Sequence, residues 1–269
     1  MTKEADRAQT QSPLGDCAAA FLLLSRIPVT WYRFPEDQPP DFISSLWAFP
    51  VVGLVIGAIT GGCLVLAEFL MLPSLVAAAA GLLVLALLSG AMHEDGLADM
   101  ADGFGGGRDV ESKIRIMHDS RIGSYGVMAL ILGSAARLGL LMACLDTFDG
   151  LHLAMFIAFI QAASRFQPVV QLSAFSISPH ASLAHLTGQP GAVRLVVAAL
   201  IWLVPLAWLV GIGTSLLMAV PVIAVSLWIG SLAMRQVDGL TGDVMGATTI
   251  IGEIVLLSCW VSIVQLVPA

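Results

Sequence analysis

A stretch of about 20 apolar residues leaves a chain few choices, because in a bilayer every backbone N–H and C=O must be satisfied within the segment, as a helix does. This chain has about seven such stretches, at residues 46–71, 75–92, 123–145, 151–172, 193–210, 216–234 and 249–267. Overall it is 58% hydrophobic and 12% charged, about half the charge of a soluble domain. The expected fold is all-α: a single integral membrane domain over residues 1–269, a polytopic helical bundle of about seven transmembrane helices in a lipid bilayer.

Two shorter apolar segments complete that picture. Residues 14–24 are too few to span and run into Ser25-Arg26-Ile27-Pro28, so they form an N-terminal interfacial helix. Residues 109–121 predict a cytoplasmic amphipathic helix with Asp109 as N-cap, Val110, Ile114 and Met117 on one face and Glu111, Arg115, His118 and Asp119 on the other. The polar N-terminus and the lack of a small-residue cleavage site argue against a removed signal peptide. Segment 31–41, with Pro35, Pro39 and Pro40, is a loop, as is 173–191 with Pro179, His180, His185 and Pro190. Gly53, Gly57 and Gly61 recur every fourth residue, the spacing of a close-packed helix face in lipid.

Lysine and arginine set the orientation. Lys3, Arg7, Arg26 and Arg33 precede the first span and Arg108, Lys113, Arg115 and Arg121 follow the second, whereas the turns at Pro73, 146–150 and 211–215 carry none. The positive-inside rule then places the N-terminus in the cytoplasm with the polar segments 93–122, 173–191 and 235–247. A net charge of −7 excludes nucleic acid as a partner. Cys17, Cys63, Cys144 and Cys259 lack metal-ligand or redox spacing and read as packing residues.

Chemistry is concentrated at His93-Glu94-Asp95-Gly96-Leu97-Ala98-Asp99-Met100-Ala101-Asp102-Gly103-Phe104-Gly105-Gly106-Gly107-Arg108. On a helix Asp95, Asp99 and Asp102 fall within an arc of about 60°. Such a cluster repels itself, and a divalent cation is the simplest compensation. Magnesium takes one or two carboxylates plus substrate phosphates. Gly105, Gly106 and Gly107 would let backbone N–H groups approach a phosphate. A second motif, Asp238-Gly239-Leu240-Thr241-Gly242-Asp243, echoes the first and falls on the same predicted face. Two aspartate clusters facing each other across a bundle mouth can hold Mg2+ against a diphosphate, giving Asp95, Asp99, Asp102 and Asp243 as metal ligands. Asp238, Thr241, Arg108 and Arg115 are candidates for substrate binding, the arginines through a bidentate fork on phosphate. Arg137 and Arg165 lie inside spans, at a cost of at least about 2.5 kcal/mol each, and are functional candidates for that reason. Plainer readings stand beside these: a solvated acidic loop, arginines that only set orientation or pair as Glu111 with Arg115, an Arg165 that snorkels, and a structural His93.

The same residues resemble a family. The run 93–103, followed by Ile116-Met117-His118-Asp119-Ser120-Arg121-Ile122-Gly123-Ser124-Tyr125-Gly126, is similar to the signature of the cobalamin synthases, the adenosylcobinamide-GDP ribazoletransferases. Ser25-Arg26-Ile27-Pro28, Phe49-Pro50-Val51-Val52-Gly53, Ser164-Arg165 and Gly239-Leu240-Thr241-Gly242-Asp243-Val244-Met245-Gly246-Ala247 fit it too. Glu94 stands where a hydrophobic residue, often leucine, is expected, and His118 where lysine is common. The resemblance implies a magnesium-dependent transferase of the inner membrane, with its active site facing the cytoplasm. It would join adenosylcobinamide-GDP to α-ribazole or its 5′-phosphate and release GMP. Asp119 and Arg121 join Asp95, Asp99, Asp102 and Asp243 as catalytic candidates, and Arg165 joins the substrate-binding ones. Partners beyond the substrates and lipid would be other corrinoid-pathway enzymes or a second copy of the chain.

Three other readings use the same features. Membrane prenyltransferases also set two Asp-rich motifs and magnesium against a diphosphate. CDP-alcohol phosphotransferases want Ala-Arg after the Asp-Gly pair, where this chain has Ala98-Asp99. A secondary transporter would place its ionisable groups near the midplane on broken helices, whereas these acids cluster at a surface.

Overall fold

The computed structural model describes residues 12–34, 40–181 and 188–266. Lys3, Arg7, Pro35, Pro39, His185 and the polar N-terminus before Ser12 lie outside the described residues. The chain is a helical bundle: α1 (Pro13–Leu24), α2 (Phe42–Ser45), α3 (Phe49–Phe69), α4 (Ser74–Ser89), α5 (Met92–Gly106), α6 (Val110–Met117), α7 (Ser124–Leu145), α8 (Gly150–Ala174), α9 (Ala192–Val210), α10 (Ile212–Gln236) and α11 (Gly242–Leu266). Among the described residues six helices are long and apolar enough to cross a membrane, and seven if the bent pair α4 and α5 counts as one span.

Local chemistry sets the ends of these helices. Ser12 caps α1, its hydroxyl accepting from Gly15 N–H, with Pro13 in the first turn. Asp109 caps α6 as expected, in a reciprocal box with Ser112.

The glycine stripe does what its spacing implies. α3 lies directly on α8: a Cβ at Gly57 would stand 2.6 Å from Ala158 Cα, and one at Gly61 the same distance from Ala154 Cα. No side chain separates the two backbones, and α8 becomes the central helix, also touching α9, α10 and α11. Large apolar side chains such as Leu66, Leu83, Leu132, Val220 and Trp228 remain exposed, as lipid-facing surface requires.

Two boundaries differ from the sequence reading. The second span stops at Ser89. Gly90 and Ala91 both take left-handed backbone, at φ 68° and 56°, and α5 leaves at 89° to α4. The segment 93–122 is therefore two helices joined by a short turn rather than a loop, and α5 runs back beside α7 and α11, Asp102 meeting Gly126 and Glu94 meeting Arg137. The last span starts at Gly242, seven residues earlier than residue 249, because Thr241 caps it: its hydroxyl accepts from Val244 N–H at 3.2 Å. Asp243 thus sits in a first helical turn, where the positive end of the helix favours a carboxylate.

The polar connections converge at one end. Leu240 pairs with Ile177 in an isolated parallel bridge, Ser178 N–H donating to Leu240 O at 2.9 Å and Leu240 N–H to Ser176 O at 3.0 Å. Arg26 N–H donates to Leu88 O at 2.7 Å, bringing the end of α1 to the same rim.

Candidate functional site

The bend between α4 and α5 opens a cleft of about 780 Å³, lined by Arg26, Glu94, Asp95, Asp99, His118, Asp119 and Ser120 among others. Asp95 and Asp99 are one turn apart on α5 and face it together. α5 also packs on the start of α11 with almost nothing between: a Cβ on Gly96 would lie 2.7 Å from Asp243 O. That contact carries Asp243 to the acidic face of α5, so the first and second motifs meet, as the echo between them implied.

The crowding of negative charge has a measurable consequence. Partial burial, then the charges of Asp95, Asp243 and Asp102, push the Asp99 carboxyl up to about 7 from the ordinary 3.8. A site this reluctant to hold its full negative charge suits a cation that would relieve it. Among the described residues no three His, Cys, Asp or Glu side chains are close enough to form a ready-made cage. The donor set therefore fits an ion held by one or two carboxylates, with the remaining positions left to a substrate, which is how magnesium usually binds. Asp95 and Asp99, which line the cleft, are the pair that would hold it, with Asp243 near them outside the lining.

Asp102 has a different task from the one its spacing suggested. It is 7% exposed and accepts from Gly123 N–H at 2.7 Å and Gly126 N–H at 2.8 Å, capping the first turn of α7. Each oxygen accepts one N–H, and Asp102 is not among the residues lining the cleft. Side chains at 123 or 126 would clash, since a Cβ there would fall 2.5 Å or 2.3 Å from an Asp102 oxygen.

Two of the glycines after it allow close packing. A Cβ on Gly105 would meet the Tyr125 ring at 2.7 Å and one on Gly107 the Lys113 backbone at 2.8 Å, while Gly106 approaches only Ile116. None of the three lines the cleft.

Of the other candidates, Asp119 lines the cleft and pairs with Arg121 at 3.4 Å, the Arg121 side chain being 89% exposed. Arg108 and Arg115 are exposed and outside the lining. Asp238 occupies an exposed left-handed turn at φ 59°, and Thr241 is spent on its cap, so neither reaches the cleft. Arg165 does not snorkel. It is 2% exposed, and its guanidinium bonds to Ser164 Oγ at 3.1 Å, to Gln161 O at 3.4 Å and to the Gln161 side chain, all on its own helix. That places it in the bundle interior and outside the cleft lining. His93, also buried, lines a separate apolar pocket of about 80 Å³ with Leu24, Phe49, Pro168 and Met245.

Arg137 earned its suspicion for another reason. Its Nε and Nη2 donate to the two oxygens of Glu253 at 3.2 and 3.1 Å, and its Nη1 donates to Glu94 Oε1 at 2.8 Å. This buried triad ties α5 to α7 and α11 immediately behind Asp95, and it accounts for Glu94, the acid found where an apolar residue was expected. Glu253 went unremarked in the sequence, although an arginine inside one span is a signal to look for an acid inside another. Arg26 was quoted only for orientation and resemblance, yet it is the arginine in the cleft lining.

Comparison with known proteins agrees with this architecture. Residues 16–261 match the family described as cobalamin-5-phosphate synthase. The chain is 40% identical over 260 residues to an adenosylcobinamide-GDP ribazoletransferase of Azorhizobium caulinodans, covering 91% of this chain and 94% of that one. Proteins of the same description from Sinorhizobium sp (36% over 250 residues, covering 90% and 94%) and Brucella anthropi (33% over 256 residues, covering 93% and 97%) are similar throughout. No solved structure matches the chain. On a match spanning nearly its whole length, the chain belongs to the cobalamin-5-phosphate synthase family.

Proposed function

We propose that this protein is a membrane transferase joining adenosylcobinamide-GDP to α-ribazole or its 5′-phosphate, forming adenosylcobalamin or its phosphate and releasing GMP. The observation that carries the reading is the likeness, over more than nine-tenths of the chain, to proteins described as adenosylcobinamide-GDP ribazoletransferases. The acidic cleft supports it: a diphosphate donor needs charge neutralisation at a polar mouth, and Asp95 and Asp99 line that mouth while the backbone of Asp243 packs on α5 at Gly96.

A hydroxyl oxygen of α-ribazole forms a bond to the cobinamide-linked phosphorus and gives up its proton to water, the bond from that phosphorus to the bridging oxygen breaks, and GMP leaves with the electron pair. Bound Mg2+ would supply neutralisation of the diphosphate. Asp95 and Asp99 hold the cation side of the donor, and the close α5–α11 contact at Gly96 keeps Asp243 beside them. Arg137, through Glu94, fixes the first turn of α5, so the aspartates keep their aim. The lysine and arginine distribution supports an inner-membrane protein whose cleft opens to the cytoplasm.

The test is turnover by the purified protein in lipid vesicles with adenosylcobinamide-GDP, Mg2+ and α-ribazole or its phosphate. Stoichiometric GMP and cobamide product, abolished by chelator, is expected. Absence of GMP release with either acceptor would overturn the proposal.

A further inference from the structure

The cleft contains a guanidinium that no carboxylate holds. Arg26 lines it together with Asp95 and Asp99, yet it takes part in none of the ion pairs within 4.0 Å among the described residues. Two independent contacts determine its course. Its backbone N–H is bonded to Leu88 O at 2.7 Å, just before the bend. Its side chain then passes over Gly90, where a Cβ would stand 2.4 Å from Arg26 Nε and 3.0 Å from Cγ. Gly90 is left-handed at φ 68°, so glycine here serves both the bend and the passage of the arginine. The same bend that turns α5 and its aspartates into the cleft therefore seats Arg26 on the wall of that cleft.

Opposite charges in one cleft that do not collapse onto each other leave a place for a ligand carrying both signs. A phosphate chelated to a divalent cation has that character: its metal faces carboxylates and its free oxygens face a cation. Of the other arginines near the rim, Arg121 is already paired with Asp119 and Arg165 is enclosed in the bundle.

We propose that Arg26 binds the guanosine-side phosphate of the diphosphate donor, the one that departs as GMP. This deepens the transferase reading and rests on it. A guanidinium fork matches two phosphate oxygens at once and counters the charge that accumulates on the leaving phosphate as its bond to the second phosphorus breaks. The acceptor approaches from the opposite side of that phosphorus and does not touch Arg26.

The experiment compares wild type, Arg26→Lys and Arg26→Gln as full-length protein in vesicles. Magnesium-dependent binding of radiolabelled GMP is measured by equilibrium dialysis, and the Michaelis constants of donor and acceptor are measured separately. Loss of a charged hydrogen-bonding group predicts, for Arg26→Gln, about tenfold or greater weakening of both GMP binding and donor KM. Acceptor KM is unchanged, and Arg26→Lys falls between. Unchanged acceptor KM also shows that the variant is folded. GMP affinity and donor KM in Arg26→Gln equal to wild type would overturn the assignment, as would an equal rise in both Michaelis constants. GMP binding needs no turnover, so weakened binding in Arg26→Gln beside a wild type that makes no product would refute the transferase reading and leave the phosphate contact standing.

Discussion

Replacing Arg137 with methionine tests whether the triad behind the cleft is a structural pin. The guanidinium makes three charge-assisted hydrogen bonds, two to Glu253 and one to Glu94. The Glu94 side chain is 20% exposed and can turn into the cleft, whereas that of Glu253 is 2% exposed and has no other partner among the described residues. Arg137→Met therefore strands one buried carboxylate, and breaking such a pair costs about 3–5 kcal/mol. At about 2–4 °C per kcal/mol, thermal unfolding in a fixed detergent–lipid mixture should shift down by about 6–20 °C. Arg137→Met/Glu253→Leu should recover most of that loss, because apolar replacements of a whole buried pair are often neutral. A single-variant shift below about 2 °C, or a double variant less stable than Arg137→Met alone, would refute the argument that Glu253 depends on Arg137.

Asp102→Asn should cost stability without touching the metal site: one amide oxygen replaces a carboxylate that accepts from two N–H groups, for about 1–2 kcal/mol. The magnesium concentration for half-maximal rate should stay at its wild-type value; a shift in it with unchanged unfolding temperature would return Asp102 to the ligand set. Asp99 gives a pH dependence. Its carboxyl is raised to about 7 in the folded protein from 3.8, so its contribution to stability is fully present below the unfolded value and lost as pH rises through about 7. Without Mg2+, unfolding temperature should fall between pH 5.5 and 8, added Mg2+ should restore it at pH 8 and do little at pH 5.5, and Asp99→Asn should flatten both effects; an equal magnesium effect at the two pH values would contradict this. For topology, Gly106→Cys and Asp149→Cys in a cysteine-free background should label from opposite sides, Gly106→Cys from the cytoplasm, and labelling of both from one side would undo the span assignment.

The spans, the glycine stripe and the α6 cap were readable because each rests on local periodicity or on one residue meeting its own backbone. The meeting of Asp95 with Asp243 was readable from span parity. What escaped the sequence was decided by three-dimensional approach. Asp102 shares a helix face with Asp95 and Asp99, and spacing cannot show that the chain returns twenty-one residues later to place two N–H groups on it. The three consecutive glycines look like a phosphate loop until Tyr125 and Lys113 are seen lying on them. The 89° bend at Gly90 and Ala91 carried no proline to announce it. Because that bend alone creates the cleft, Arg26 could not be singled out as its arginine before the bend was known.

The central claim is that Asp95 and Asp99 on α5 hold the cation side of the diphosphate donor, and the most direct test is magnesium-dependent GMP release by Asp95→Asn/Asp99→Asn. The two residues line the cleft as one unit, so the double variant should insert into the membrane like the wild type, release no GMP above background at any Mg2+ concentration, and be little worse than the weaker single variant. GMP release at the wild-type rate with the wild-type magnesium dependence would contradict the account.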